Sequence, residues 1–254
     1  MRICVLASGS KGNSTYIETA NHKILIDIGK NKKYIVDKLA EIGVNADEID
    51  YILISHLHND HISALNSFIK KYHPTVCLSQ QMFQELNAIH EYDSILIYEN
   101  EIILSNLKIK AIKSSHDATD SRNFVIEEGN KSVVYVTDTG YVNSKYFNHL
   151  KNKNVYLFES NHDIEMLNHG PYPKWLKDRM ISDIGHLSNK ASSFYLTKLI
   201  GNNTKKIVLM HLSEKNNSEE KCLETINNTF DDYEISFKDI VCARQDEISD
   251  IINI

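Results

Sequence analysis

The stretch Tyr51-Ile52-Leu53-Ile54-Ser55-His56-Leu57-His58-Asn59-Asp60-His61 sets three imidazoles and a carboxylate within six residues, directly after an apolar run. The run reads as a buried strand, so the polar cluster sits where that strand ends and the chain turns. With 12 His and 34 Asp plus Glu in 254 residues, the pattern His-x-His-x-acid-His would arise by chance in roughly one such chain in three hundred. Imidazole and carboxylate together suit a borderline divalent cation such as zinc or manganese. His56 and His58 alternate along an extended turn, and Asp60 and His61 follow as a helix begins. One tetrahedral ion would be crowded by all four. Two adjacent ions, each taking part of the cluster, resolve the geometry and need further ligands from elsewhere.

Three later segments have the right form. Ile112-Lys113-Ser114-Ser115-His116-Asp117 puts a histidine just past a strand. Val133-Val134-Tyr135-Val136-Thr137-Asp138-Thr139-Gly140 ends an apolar strand in an aspartate before a glycine turn. Ile207-Val208-Leu209-Met210-His211 ends another in a histidine. Taken singly, each is a hydrogen-bonded turn residue by default. In a chain already committed to a metal, the three together become candidate ligands.

Around these segments the sequence reads as one domain spanning 1–254, with no linker and only three prolines. Strands are expected over 2–7, 14–19 and 23–28, then a helix through Ile35, Leu39 and Ile42 that stops at Gly43. Strand 50–55 delivers the histidine cluster, and a helix of about a dozen residues follows through Ile62, Leu65 and Ile69. Further strands are expected near 75–79, 102–104, 107–113, 123–127 and 132–137. The second half adds strands 154–158, 205–210 and 236–242, with helices at 174–181, 189–200 and 217–229. Such a mixture points to an α/β-type layered domain of two packed sheets with helices outside. The two strands ending at His56 and His211 hint at an internal duplication.

Composition excludes some classes. Hydrophobic content of 42% and charged content of 24% fit a globular chain with a sizeable core, and no apolar run reaches the roughly 18 residues that cross a bilayer. Four scattered cysteines without a Cys-x-x-Cys pair, and an N-terminus without signal-peptide architecture, predict a reduced, cytoplasmic setting. A net charge of −6 gives no long-range pull toward nucleic acid, although a local patch suffices to grip a few phosphates. Lys30-Asn31-Lys32-Lys33 and Lys174-Trp175-Leu176-Lys177-Asp178-Arg179 are candidates, each read by default as a solvated helix face.

The order His-x-His-x-Asp-His, then His, Asp and His resembles the metallo-β-lactamase superfamily across essentially the whole chain. Asp27 in Leu25-Ile26-Asp27-Ile28-Gly29 matches the aspartate that this family places upstream. The resemblance implies a four-layer αββα sandwich with the active site at one edge of the two sheets. It assigns one ion to His56, His58 and His116, and the other to Asp60, His61 and His211. Asp138 would bridge them, and Asp27 would sit behind, fixing the loop or a ligand ring.

Narrower strings are similar to the bacterial WalJ/YycJ group of single-domain, exonuclease-like metallohydrolases. They are Ala7-Ser8-Gly9-Ser10-Lys11-Gly12-Asn13, Glu159-Ser160-Asn161-His162-Asp163, Ser182-Asp183-Ile184-Gly185-His186-Leu187-Ser188-Asn189, and His211-Leu212-Ser213 followed by Asn216-Asn217. That group usually has a small residue where Lys11 stands. The resemblance implies a DNA substrate rather than RNA, digested 5′ to 3′. The expected chemistry is phosphodiester hydrolysis by a hydroxide bridging two divalent ions, zinc or manganese or iron.

Asp60, His186 and Glu159 are the expected catalytic residues. His186 would give a proton to the leaving alkoxide, and Glu159 would orient His186 or another ring. Gly185 would let backbone approach closely, and a helix starting near Asn189 would turn its amides toward a phosphate. Ser8, Ser10, Lys11 and Asn13 either contact phosphate or satisfy their own hairpin loop. His162 either lines the site or is an ordinary surface histidine, and His22, His73, His90, His149 and His169 are left on the surface. Competing readings on the same metals are a ribonuclease or a hydrolase of small esters, thioesters or lactones. A redox di-iron protein would favour glutamate at position 58, and a silent binding module would lack part of the ligand set.

Overall fold

The computed structural model describes residues 1–254. Its strands are β1 (Arg2–Ala7), β2 (Ser14–Glu18), β3 (Lys23–Ile26), β4 (Tyr51–Leu53), β5 (Thr75–Ser79), β6 (Ile95–Tyr98) and β7 (Glu101–Leu104). They continue as β8 (Leu107–Lys113), β9 (Arg122–Glu128), β10 (Lys131–Val136), β11 (Val155–Glu159), β12 (Lys206–Met210), β13 (Ile240–Cys242) and β14 (Ile252–Asn253). The helices are α1 (Lys32–Glu41), α2 (Asn59–Ile62), α3 (Leu65–Tyr72), α4 (Gln80–Glu85) and α5 (Phe147–Leu150). After them come α6 (Ile164–His169), α7 (Lys174–Met180), α8 (Asn189–Leu199) and α9 (Glu219–Asp232).

The strands form two seven-stranded sheets, ordered β14-β1-β2-β3-β4-β5-β6 and β7-β8-β9-β10-β11-β12-β13. Along the first, the three pairs from β14 to β3 are antiparallel and the three from β3 to β6 parallel. The second repeats that polarity, turning from antiparallel to parallel at β10. A parallel pair needs a crossover, and α1 to α4 and α5 to α9 are those crossovers.

Period-two alternation sorts the side chains into layers. Ile24 and Ile26 face the space between the sheets while Leu25 faces the helices, and Val133 and Tyr135 alternate in the same way with Val134 and Val136. One buried cluster lies between the sheets, a second beneath α1 and α3, and a third beneath α8 and α9. Three apolar spaces separate four layers, the αββα sandwich expected.

The structure corrects several local expectations. The helix after the histidine cluster is broken into α2 and α3, because neighbouring loops take its carbonyls. Asn13 N–H donates to Asp60 C=O at 2.8 Å and Ile28 N–H to His61 C=O at 2.7 Å, so the ladder stops after one turn. The two sheets repeat one order of strand polarity, but position in them matches β4 with β11, not with the strand ending at His211. β6 went unrecognised, a short run with half-exposed residues at the sheet edge. The last long strand shrinks to Ile240–Cys242.

Candidate metal centre

The site lies at the carboxyl ends of the strands, where an open α/β sheet leaves a crevice. Asp27 follows β3, the histidine cluster follows β4, Asp138 follows β10, Glu159 ends β11 and His211 follows β12. His116 arrives from the turn after β8. Thus both sheets contribute.

Each ring except His58 is fixed through Nδ1, leaving Nε2 for the centre. Asp27 is fully buried and accepts from His61 Nδ1 at 2.8 Å, Ser55 N at 2.8 Å, Ser55 Oγ at 2.7 Å and Tyr135 OH at 3.1 Å. Ser55 Oγ lies 3.0 Å from His56 Nδ1, and His116 Nδ1 donates to Gly185 C=O at 3.2 Å. Glu159 Oε1 sits 2.7 Å from His186 Nδ1 and 3.4 Å from His211 Nδ1. Such outer partners set tautomer and orientation.

The inward atoms converge. His116 Nε2 is 3.2 Å from His58 Nδ1, and His61 Nε2 is 3.5 Å from Asp60 Oδ2, which is 3.7 Å from His211 Nε2. Asp138 stands between, with Oδ2 at 3.2 Å from His61 Nε2 and Oδ1 at 3.6 Å from His211 Nε2 and 3.8 Å from His116 Nε2. His56–His58–His116, Asp60–His61–His211, His56–His61–Asp138 and Asp138–Glu159–His186–His211 each bring donor atoms within 4.8 Å of one another. A cleft of about 600 Å³ between Thr197 and Asp239 contains none of these residues.

Electrostatics and polar bookkeeping both fit a pair of cations. The Nε2 atoms of His56 and His211 are buried without any hydrogen-bond partner, a costly arrangement unless an ion takes the lone pair. Burial opposes a charged His211, yet Asp138, Asp60 and Glu159 raise it to about 10. Burial likewise opposes a charged His61, but Asp138 and Asp27 hold it well above the usual imidazole range. Burial would raise the Asp138 carboxyl, and His211 and His61 instead hold it well below the carboxylate range. The centre therefore draws positive charge inward, and a divalent ion supplies it more compactly than protons do.

The expected substrate-contact residues divide. Ser8 and Asn13 are buried and hold the site itself. Ser8 Oγ accepts from His211 N at 2.7 Å, and Asn13 Nδ2 lies 3.0 Å from His61 Nε2 and 3.3 Å from Asp60 Oδ2. Ser10 and Lys11 are exposed, with Lys11 Nζ paired to Glu214 at 2.6 Å. His162 is buried rather than on the surface, and burial lowers it to about 4. His22 is half-buried, its ring edge-on to Tyr51.

Gly185 is required by α7, not by a ligand: a Cβ there would meet the Arg179 and Met180 carbonyls at 2.3 Å. Two of the first amides of α8, those of Asn189 and Ala191, are also taken, by His162 C=O and by the Ser188 cap. Lys30 and Arg179 are ion-paired to Asp246 and Asp117. Sequence reading missed Asp117, 3.5 Å from His116 Nε2, and Asn161, whose Nδ2 donates to His211 C=O at 2.8 Å. Adjacency to His116 and the Glu159 segment was the signal available for each.

Residues 7–90 match the model of the metallo-beta-lactamase superfamily. Exodeoxyribonuclease WalJ of Streptococcus pneumoniae serotype 2 is 36% identical over 231 residues, covering 88% of this chain and 86% of the relative. The chain belongs to this superfamily, in its WalJ/YycJ group. Exodeoxyribonuclease YycJ of Bacillus anthracis, a further member, is 31% identical over 91% of this chain and 90% of its own length. A solved metallo-beta-lactamase fold protein, YhfI of Bacillus subtilis, superposes with a TM-score of 0.72 over 98% of this chain and 99% of that one, at 15% identity. That likeness is one of fold. Superfamily membership and the His/Asp clusters agree on a dinuclear metal site in a metal-dependent hydrolase.

Proposed function

We propose that this chain is a metal-dependent DNA exonuclease that digests 5′ to 3′, with residues 1–254 acting as one hydrolase domain. The observation that carries the reading is Asp138, whose carboxylate reaches both ligand groups, Oδ2 toward His61 and Oδ1 toward His116 and His211, beside a histidine held by Glu159. Relatives named exodeoxyribonuclease, similar over about nine-tenths of the chain, support the substrate class.

His56, His58 and His116 would hold one ion, and Asp60, His61 and His211 the other, with Asp138 shared. Two divalent ions in such a site lower the pKa of water and offset charge on phosphoryl oxygens. Zinc, manganese and iron all suit this mixture of nitrogen and oxygen donors. Asp27 and Ser55 keep the His61 and His56 rings turned inward. Glu159 fixes His186 through Nδ1, so Nε2 is the ring atom free to give a proton to the leaving oxygen. No helix is long and apolar enough to cross a membrane, and free cysteines support a cytoplasmic location.

The deciding experiment is digestion of DNA and RNA, labelled at either end, across a zinc, manganese and iron panel. Mononucleotides released from 5′ ends of DNA are expected. Turnover of nitrocefin or a lactone without any cleavage of DNA or bis-p-nitrophenyl phosphate would overturn the reading.

A further inference from the structure

Immediately beside the proposed centre lies a cleft of about 230 Å³ that no step so far uses. Its walls include Lys113, Ser114, Ser115, Tyr141, Asn143 and Lys145, and no acidic residue lines it. It shares chain with the ligands: Ser115 precedes His116, Ser114 Oγ donates to Asp138 C=O at 2.5 Å, and Gly140 N donates to Ser115 C=O at 2.9 Å. The cleft therefore borders the two segments that carry His116 and Asp138.

The charges there are only weakly countered. Lys145 has no carboxylate within 4.0 Å, and its Nζ lies 4.8 Å from the ring of Tyr146. Lys113 has only Asp120, at 3.7 Å, and that carboxylate is already bonded to Arg122 Nη2 at 2.6 Å. In a chain of net charge −6, two such ammoniums in one acid-free cleft form a local anion site. The Ser115 and Tyr141 hydroxyls, hydrogen-bonded to no neighbour, add neutral donors, and Tyr141, 40% exposed, offers a ring face.

We propose that this cleft binds a backbone phosphate of the DNA strand adjacent to the scissile bond, with the neighbouring base stacked on Tyr141. The proposal rests on the exonuclease reading above. Lys113 and Lys145 are binding residues, and Tyr141 positions the strand. Charge and stacking leave different traces. Losing a phosphate contact flattens the salt dependence of single-strand binding by about 0.7 in log–log slope. Losing a stacking ring weakens affinity roughly 5- to 150-fold without changing that slope.

Fluorescence anisotropy of a labelled single-stranded oligonucleotide with cleavage-resistant phosphorothioate linkages, titrated over salt, tests this on the metal-loaded protein. Lys113→Gln/Lys145→Gln is expected to show a slope shallower by about 0.7 and a raised KM for DNA. Tyr141→Ala is expected to bind more weakly at an unchanged slope. Lys70→Gln, on the exposed face of α3, controls for the generic loss of one positive charge. If the double variant matches wild type in slope and affinity while wild type digests DNA, the cleft proposal alone fails. If wild type neither binds nor cuts DNA, the exonuclease reading fails and takes the cleft with it.

Discussion

Asp27, Asp138 and His211 all adopt left-handed backbone, with φ of 60°, 50° and 57°. A non-glycine residue held there costs roughly 1–3 kcal/mol and persists only where its surroundings over-determine it. The surroundings do so: four donors grip the Asp27 carboxylate, Thr137 Oγ1 donates to Asp138 at 2.8 Å, and Ser8 holds the amide of His211. His186 stacks at 5.2 Å on His211 without belonging to either proposed ligand triad. His186→Ala should lower turnover by about 10²–10⁴ while elemental analysis still finds both metals. A loss of metal would make His186 a ligand instead. His162 predicts a pH effect on stability. Its folded value, about 4, lies below the ordinary 6.5, so the unfolded chain takes up a proton first on acidification. Stability is therefore full above pH 6.5 and falls by about 3 kcal/mol as pH drops toward 4. In urea melts at pH 7 and 5, His162→Gln should lose much of that difference, and equal slopes for variant and wild type would contradict the assignment.

At the scale of elements, three segments meet at one backbone crossing. Gly29 N donates to Asn13 C=O at 2.8 Å, Asn13 N donates to Asp60 C=O, and a Cβ on Gly29 would lie 1.6 Å from that same carbonyl. The loop after β2's partner β3 thus presses directly on the turn of α2 that carries Asp60 and His61. Gly29→Ala should force these loops apart, costing about 1–3 kcal/mol or more. It should also weaken metal binding, read by competition with a chromogenic chelator. An unchanged metal affinity would mean the loop yields without moving the ligands. This crossing also explains what sequence missed. A Ser or Asn in a hairpin looks alike whether it closes its own turn or reaches a partner 203 residues away, as Ser8 does.

At the scale of the whole molecule, the centre joins two sheets whose facing surfaces are mainly apolar. His56, His58, Asp60 and His61 come from the first, and His116, Asp138 and His211 from the second. Ions bound only by the folded state stabilise it by about 2.7 kcal/mol at a hundred times the dissociation constant. For a chain of this size, chelation should lower Tm by about 5–10 °C, restored on adding metal in calorimetry. A Tm indifferent to chelator and to added zinc or manganese would argue against a resident pair. The sequence by itself determined the candidate donor cluster and the layered class, because metal donors are few in kind and alternation writes burial directly into the chain. It also determined most strands, whose apolar runs end abruptly at polar turns. Tertiary structure alone decided which polar residues face outward. Ser8, Asn13 and His162 are ordinary loop residues until distant strands close over them, since burial of a polar group depends on partners that chain order does not reveal.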